Sequence, residues 1–346
     1  MITAIDSMPW LHTAWNQLIN NLRNDRLPHA LLVAGERGVG KGDYAEAVAA
    51  LLVCDRLASA IADSRSAPCG QCKQCELVAA GSHPDIRRYA PEKSRMIKVD
   101  QVRALSAFAV ASPQVSHRKI VIVNRSDQLN INAANALLKT LEEPSDDVTL
   151  LLLQETGRPI LPTLRSRCQT VTLPTPDFAT GLTWLQQHIP EGNSGQGGAM
   201  DQEHLVQALR LAGLAPRLAL DYLTGDFIQQ RQTALDAFRR FMKNELSLPE
   251  AAKPLKTLGL DGSLLLMEKW AADLARLGVG ADPADPEAAE MLRYLAKHNP
   301  PWRAHELLSS VRESRAAGIN NVSPELEAER LLMQWQALMP RRRRRA

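Results

Sequence analysis

Four of the five cysteines stand at Cys54, Cys69, Cys72 and Cys75, and the last three are spaced Cys-x-x-Cys-x-x-Cys. Two-residue gaps let a turn present successive thiolates to one ion. Four thiolates at roughly 2.3 Å suit tetrahedral Zn²⁺, with Cys54 supplying the fourth from the end of the preceding helix and the polar loop Asp55 to Pro68 folding back between them. Disulfides and unrelated reduced thiols are the alternatives. The chain opens Met1-Ile2-Thr3-Ala4-Ile5-Asp6, without a basic segment leading into an apolar core, and no apolar run approaches the roughly eighteen residues of a membrane span. The expectation is a cytoplasmic protein with no membrane partner, in a reducing compartment that disfavours disulfides. Four cysteines leave no open coordination position, so the zinc is expected to be structural.

A second pattern could bind phosphate. His29 to Ala34 reads as a short buried strand running into Gly35-Glu36-Arg37-Gly38-Val39-Gly40-Lys41-Gly42, followed by a helical pattern from Tyr44 to Val53. Gly35 and Gly40 fit a loop whose backbone N–H groups cradle an anion at a helix N-terminus, and Lys41 could reach β and γ phosphates. Position 42 needs a hydroxyl to ligate Mg²⁺, and Gly42 has none. A working site also needs a strand ending in an acidic pair. The strand Lys119 to Val123 ends instead in Asn124-Arg125-Ser126-Asp127, where Asp127 reads as a solvated or helix-capping carboxylate. The site reads as non-hydrolysing, with weak nucleotide binding left open; a tight strand-to-helix turn with no ligand is the other reading.

The third pattern pairs Asn135-Ala136-Leu137-Leu138-Lys139-Thr140-Leu141-Glu142-Glu143-Pro144 with Leu164-Arg165-Ser166-Arg167-Cys168. By composition alone Arg167 is a surface arginine ending a loop. Together, however, the two segments resemble the clamp-loader branch of the AAA+ ATPases, in which a Ser-Arg-Cys motif at a subunit edge points an arginine at ATP held by the adjacent subunit. The resemblance implies that Arg167 acts in trans, flanked by Ser166 and a packed Cys168. A guanidinium suits that task, being always charged and a rigid fork matched to phosphate oxygens. It also implies a zinc module inserted after the first helix. Within Ala212-Gly213-Leu214-Ala215-Pro216-Arg217 it makes Arg217 the candidate to face any bound phosphate, a surface arginine being the other reading. The expected role is that of an ATPase-like stator in a bacterial replicative polymerase holoenzyme, a DNA-directed DNA polymerase. The implied partners are the gamma/tau motor subunits, which bind the ATP and Mg²⁺, the delta subunit, and through the complex the sliding clamp and primer-template DNA.

These residues need elements to hold them. Strand patterns at 29–34, 85–90, 119–124, 148–154 and 169–173 alternate with helical patterns at 41–53, 99–111 and 132–142, the rhythm of an α/β parallel sheet covered by helices. The resemblance makes this an AAA+ domain over 1–175 with the zinc module at 54–75, a helical lid over 176–225 and an all-α collar through which subunits oligomerise over 226–340. Glu191 to Gly198 reads as a flexible linker. The last part carries only amphipathic helices, such as Arg231 to Leu246 and Pro324 to Leu338, with Trp302 and Trp335 expected as core anchors.

Formal net charge is +3, yet Arg341 to Arg345 sit in a tail too charged to fold, and the remainder holds 36 basic against 38 acidic residues, or −2. The folded body is therefore not basic. Two rivals remain: a self-sufficient gamma/tau-like motor, against which Gly42 and Asn124 argue, and a zinc-dependent DNA-binding module, which would need more basic residues beside the cysteines than Lys73.

Overall fold

In the computed structural model, which describes residues 5–62, 67–92, 96–190, 202–317 and 323–340, the apolar runs become the strands of one parallel sheet. Its strands are β1 (Ala30–Gly35), β2 (Ile86–Tyr89), β3 (Lys119–Val123), β4 (Val148–Glu155) and β5 (Gln169–Thr172), in the order β2-β3-β4-β1-β5. Leu32 lies opposite Leu152 and Thr170, and Val121 opposite Leu150. Strands β3, β4 and β1 are central and covered on both faces, which is why they read as nearly continuous apolar runs. The edge strands β2 and β5 expose Arg87, Arg88, Thr170 and Thr172.

On one face, Leu32, Val121, Val123, Leu150 and Leu152 share a core with Val102 and Leu105 of the helix Val99–Val110 and with Ala133, Leu137 and Leu141 of the helix Ile131–Glu142. The second helix begins where Asn130 Oδ1 accepts the Ala133 N–H at 2.7 Å and ends just before Pro144. The helix Lys41–Val53 contacts β1, β3 and β4 and is buried almost all round, from Tyr44 to Val53 with only Glu46 excepted. The Tyr44 hydroxyl donates to Ala14 O at 3.2 Å from the helix His12–Arg23.

One carboxylate gathers the backbone of the connection into β3. Asp85, fully buried, accepts the N–H groups of Gln114, Val115 and Ser116 at 2.7–2.9 Å and the Ser116 hydroxyl at 3.1 Å. Between Cys54 and Cys69 the expected polar loop contains a helix, Leu57–Ala62, one turn and a half that places Ala60 in the interior.

The described residues divide into two compact units, one holding those up to 190 together with Leu214–Ala219, the other holding 202–213 together with those from 220 to 340. The second has its own core, where the Phe238 ring stacks on Trp270 at 4.8 Å and meets Trp335 edge-on at 5.2 Å. Its amphipathic stretches form helices at Phe227–Met242 and Pro324–Gln336. Arg231, 1% exposed, lies between Asp285, at 2.6 Å, and Glu287. The Lys269 ammonium donates to the Leu211 carbonyl, and burial pushes its pKa down to about 8. Trp335 is a core residue as expected. Trp302 is not: second in the helix Pro301–Ala317, it is 55% exposed beneath the Arg303 guanidinium, because the first turn of that helix faces solvent. The linker expected at 191–198 and the arginine tail lie outside the described residues.

Candidate functional site

Cys54 follows the last turn of the helix Lys41–Val53, Cys69 and Cys72 flank a turn carried by Gly70 at φ +70°, and Cys75 lies in the first turn of the helix Lys73–Ala79. Their four Sγ atoms lie within 4.8 Å of one another, with Cys54–Cys72 and Cys69–Cys75 both at 3.9 Å. A tetrahedron of thiolates bonded at roughly 2.3 Å has edges of about 3.8 Å, so the cluster fits one metal ion. Burial works to raise the Cys69 thiol, but hydrogen bonds from the backbone of Gln71 and Cys72 bring it down to about 6. Burial pushes Cys54 and Cys75 up. A bound cation would reverse that, since the ligand is the thiolate.

The glycine loop joins β1 to its helix with Gly38 and Gly40 at φ +80° and +104°. Lys41 Nζ donates to the loop's own carbonyls, Gly35 O at 2.8 Å and Glu36 O at 2.7 Å. Burial lowers the Lys41 pKa against the opposing charges of Glu155 and Asp127. A Cβ added at Gly42 would meet nothing within 4 Å, so packing does not impose the missing hydroxyl. At Gly38 packing is strict: a Cβ there would lie 2.3 Å from Leu218 Cβ. The adjacent Arg217 donates its backbone N–H to Gly38 O at 3.1 Å and sets its Nε 3.3 Å from Asp43 Oδ2. Gly35, Gly40, Lys41 and Arg217 are thus brought to one place.

Beyond β3, Arg125 adopts a left-handed conformation (φ +61°) and turns the chain into Ser126–Gln128, where Asp127 is buried rather than solvated or helix-capping. Its Oδ1 accepts the Glu155 N–H at 3.2 Å, and its Oδ2 lies 3.3 Å from Arg125 and 3.9 Å from Arg158. Glu155 lies 3.7 Å from Arg125 and 3.6 Å from Arg158. The ends of β3 and β4 are neighbours in the sheet, and carboxylates buried there need cationic partners. Sequence reasoning missed Arg125, Glu155 and Arg158. The available signal was a charge of each sign at the ends of two otherwise apolar strands.

Arg167 sits in the turn between the helix Pro162–Arg165 and β5. Its Nη1 donates to Thr163 O at 2.9 Å, and its Nη2 lies 2.5 Å from Glu142 Oε1. Ser166 Oγ donates to Thr163 O at 3.1 Å. Cys168 packs against the core, and burial raises its thiol to about 11, whereas Arg165 is exposed. Among the described residues Arg167 has no hydrogen bond or ion pair with Gly35, Gly40, Lys41 or Arg217; it occupies a separate place beside the edge strand.

A family model described as DNA polymerase III, delta subunit, matches residues 10–177. DNA polymerase III subunit delta' of Pseudomonas aeruginosa is 34% identical over 344 residues, 96% of this chain and 98% of that protein. The subunit delta' of Escherichia coli K12 is 34% identical over 230 residues, covering 66% and 64%. Among solved structures, a gamma subunit-related protein of Thermotoga maritima aligns over 93% of this chain and 100% of its own, at 18% identity and a TM-score of 0.46. No described helix is long and apolar enough to cross a membrane.

Proposed function

The chain belongs to the family of DNA polymerase III delta' subunits, components of the bacterial clamp loader, and from that premise we propose that it serves the loader as a stator that hydrolyses no ATP itself. The observation that carries the reading is the state of the charges around the glycine loop. Lys41 is satisfied by loop carbonyls, and Asp127 and Glu155, whose charges reach it, are engaged by Arg125 and Arg158. Neither Asp127 nor Glu155, the buried carboxylates described at the ends of β3 and β4, is free of a cationic partner to hold metal-bound water, and Gly42 supplies no hydroxyl to the metal. A nucleotide entering the loop would have to displace the Lys41 contacts, with Arg217 as the additional phosphate partner, so binding is weak or absent.

In this reading Arg167 completes the ATP site of a neighbouring gamma/tau subunit, where ATP and Mg²⁺ are held, while delta and the sliding clamp on primed DNA are engaged through the complex. Residues 176–225 serve as the lid and 226–340 as the collar. The four cysteines hold Zn²⁺ in a structural site, which fixes the turn Cys69–Cys72 onto the end of the helix Lys41–Val53. The setting is the bacterial cytoplasm.

The test is ATPase measured on the chain alone and on the chain mixed with gamma/tau, delta, clamp and primed DNA. The chain alone should turn over no ATP above background. In the mixture Arg167→Ala should depress stimulated hydrolysis while leaving assembly intact. Trans-acting arginines of this kind are worth about 10³ to 10⁵ in rate in the best-studied systems, with less in cooperative rings. Arg167→Lys should not rescue, since an ammonium lacks the planar fork. Full activity of Arg167→Ala, or equal damage from Arg165→Ala, would remove the arginine assignment. Turnover by the chain alone that vanished in Lys41→Ala would favour a gamma/tau-like motor instead.

A further inference from the structure

We propose that Glu142 is a positioning residue for Arg167, holding the guanidinium in the orientation from which it meets a neighbouring subunit's nucleotide. The inference rests on the reading of Arg167 as a trans-acting arginine. Both terminal nitrogens of Arg167 are anchored, Nη1 on the Thr163 carbonyl at 2.9 Å with Ser166 Oγ at 3.5 Å, and Nη2 on Glu142 Oε1 at 2.5 Å. The two anchors come from different elements. Thr163 and Ser166 belong to the turn that carries the arginine, whereas Glu142 is the last residue of the helix Ile131–Glu142.

That helix is a rigid carrier. Asn130 caps its start, and Ala133, Ala134, Leu137 and Leu141 sit in the core against the sheet. Glu142 therefore fixes the far end of a long side chain relative to the sheet, which the turn alone cannot do. The arginine remains 35% exposed, and its Nε–H has no acceptor among the described residues, so one edge of the fork stays open for phosphate oxygens. An ion pair this exposed contributes little to stability, so orientation is the effect it can deliver. Small misplacements of a charged group at a reacting phosphate are costly: a shift of about 1 Å can lose up to 10²-fold in rate.

The experiment uses the full chain assembled with gamma/tau and delta, with clamp- and DNA-stimulated ATPase read as kcat and KM separately. Glu142→Ala should lower kcat by roughly tenfold, within the range a misplaced charge can cause, with KM for ATP and assembly unchanged. Glu142→Gln, which keeps an acceptor oxygen but not the charge, should fall between. In an Arg167→Ala background, Glu142→Ala should have no further effect, because the carboxylate acts only through the arginine. A full rate for Glu142→Ala beside a depressed Arg167→Ala would overturn the positioning role, as would an added loss in the double variant. A faster Glu142→Ala would mean that the carboxylate restrains the arginine, which also overturns it. If Arg167→Ala alone kept the full rate, the arginine reading itself would fall and take this inference with it; that single variant separates the two failures.

Discussion

Gly42 is the smallest change that separates this loop from one able to ligate Mg²⁺, and the space beside it is open. Gly42→Thr should therefore fold with its melting temperature unchanged or slightly raised, since glycine within a helix costs about 0.5–1 kcal/mol relative to alanine. It should still turn over no ATP, because Arg125 and Arg158 continue to occupy Asp127 and Glu155. A stimulated turnover from that one replacement would show the carboxylates to be available after all. The glycine loop, Lys41 and the missing hydroxyl were legible because they lie within eight consecutive residues. The four-charge cluster was not, since it depends on β3 lying beside β4, a pairing that no local spacing encodes. Trp302 and Trp335 make the same point: both sit in helices of the second unit, and only the packing of those helices buries one and exposes the other.

Short elements here are fixed by a few polar groups rather than by apolar area. Asp85 binds three backbone N–H groups of the connection into β3, and Asp85→Ala would leave them without their partner, at an expected cost of about 2–3 kcal/mol in urea unfolding at pH 7. Burial opposes its ionisation, yet those hydrogen bonds hold its pKa below the usual carboxylate range. The folded value is thus lower than the unfolded one of about 3.9. Its contribution is complete above that pH and is lost as pH falls through the folded value, so the gap between wild type and Asp85→Ala should narrow below about pH 4. A gap that stayed constant through that range would assign it to something other than the carboxylate's charge. The four-cysteine turn is a parallel case: with the proposed Zn²⁺ bound, Cys72→Ser should lower metal from one equivalent per chain and reduce the melting temperature, because binding and folding of such a site are coupled. Metal well under one equivalent in wild-type protein purified under reducing conditions without chelator would take zinc out of the account. Cysteine spacing made this element legible from the sequence, whereas the helix Leu57–Ala62 inside it was hidden by its polar surroundings.

Among the described residues one core lies against the parallel sheet and another around Trp270 in the second unit, and calorimetry should resolve two transitions with different sensitivities. A chelator should lower only the transition of the unit that carries the four cysteines. The other should respond to alkali through Lys269, whose folded pKa of about 8 lies below the unfolded value of about 10.4. Between those values the unfolded state holds more protons, so stability rises with pH across that window, and Lys269→Met should flatten the rise. One shared transition, or the same slope in Lys269→Met, would refute this. The alternation of strands and helices announced the sheet domain, whereas the all-helical remainder gave no sign of the ion cluster at Arg231. The close approach of Leu218 to Gly38 has a consequence for reading genomes. A glycine is required at that position to let two segments touch, whether or not a phosphate ever enters the loop. Packing alone can then preserve that glycine, so its presence in a loop of this kind is no evidence by itself of ATP hydrolysis.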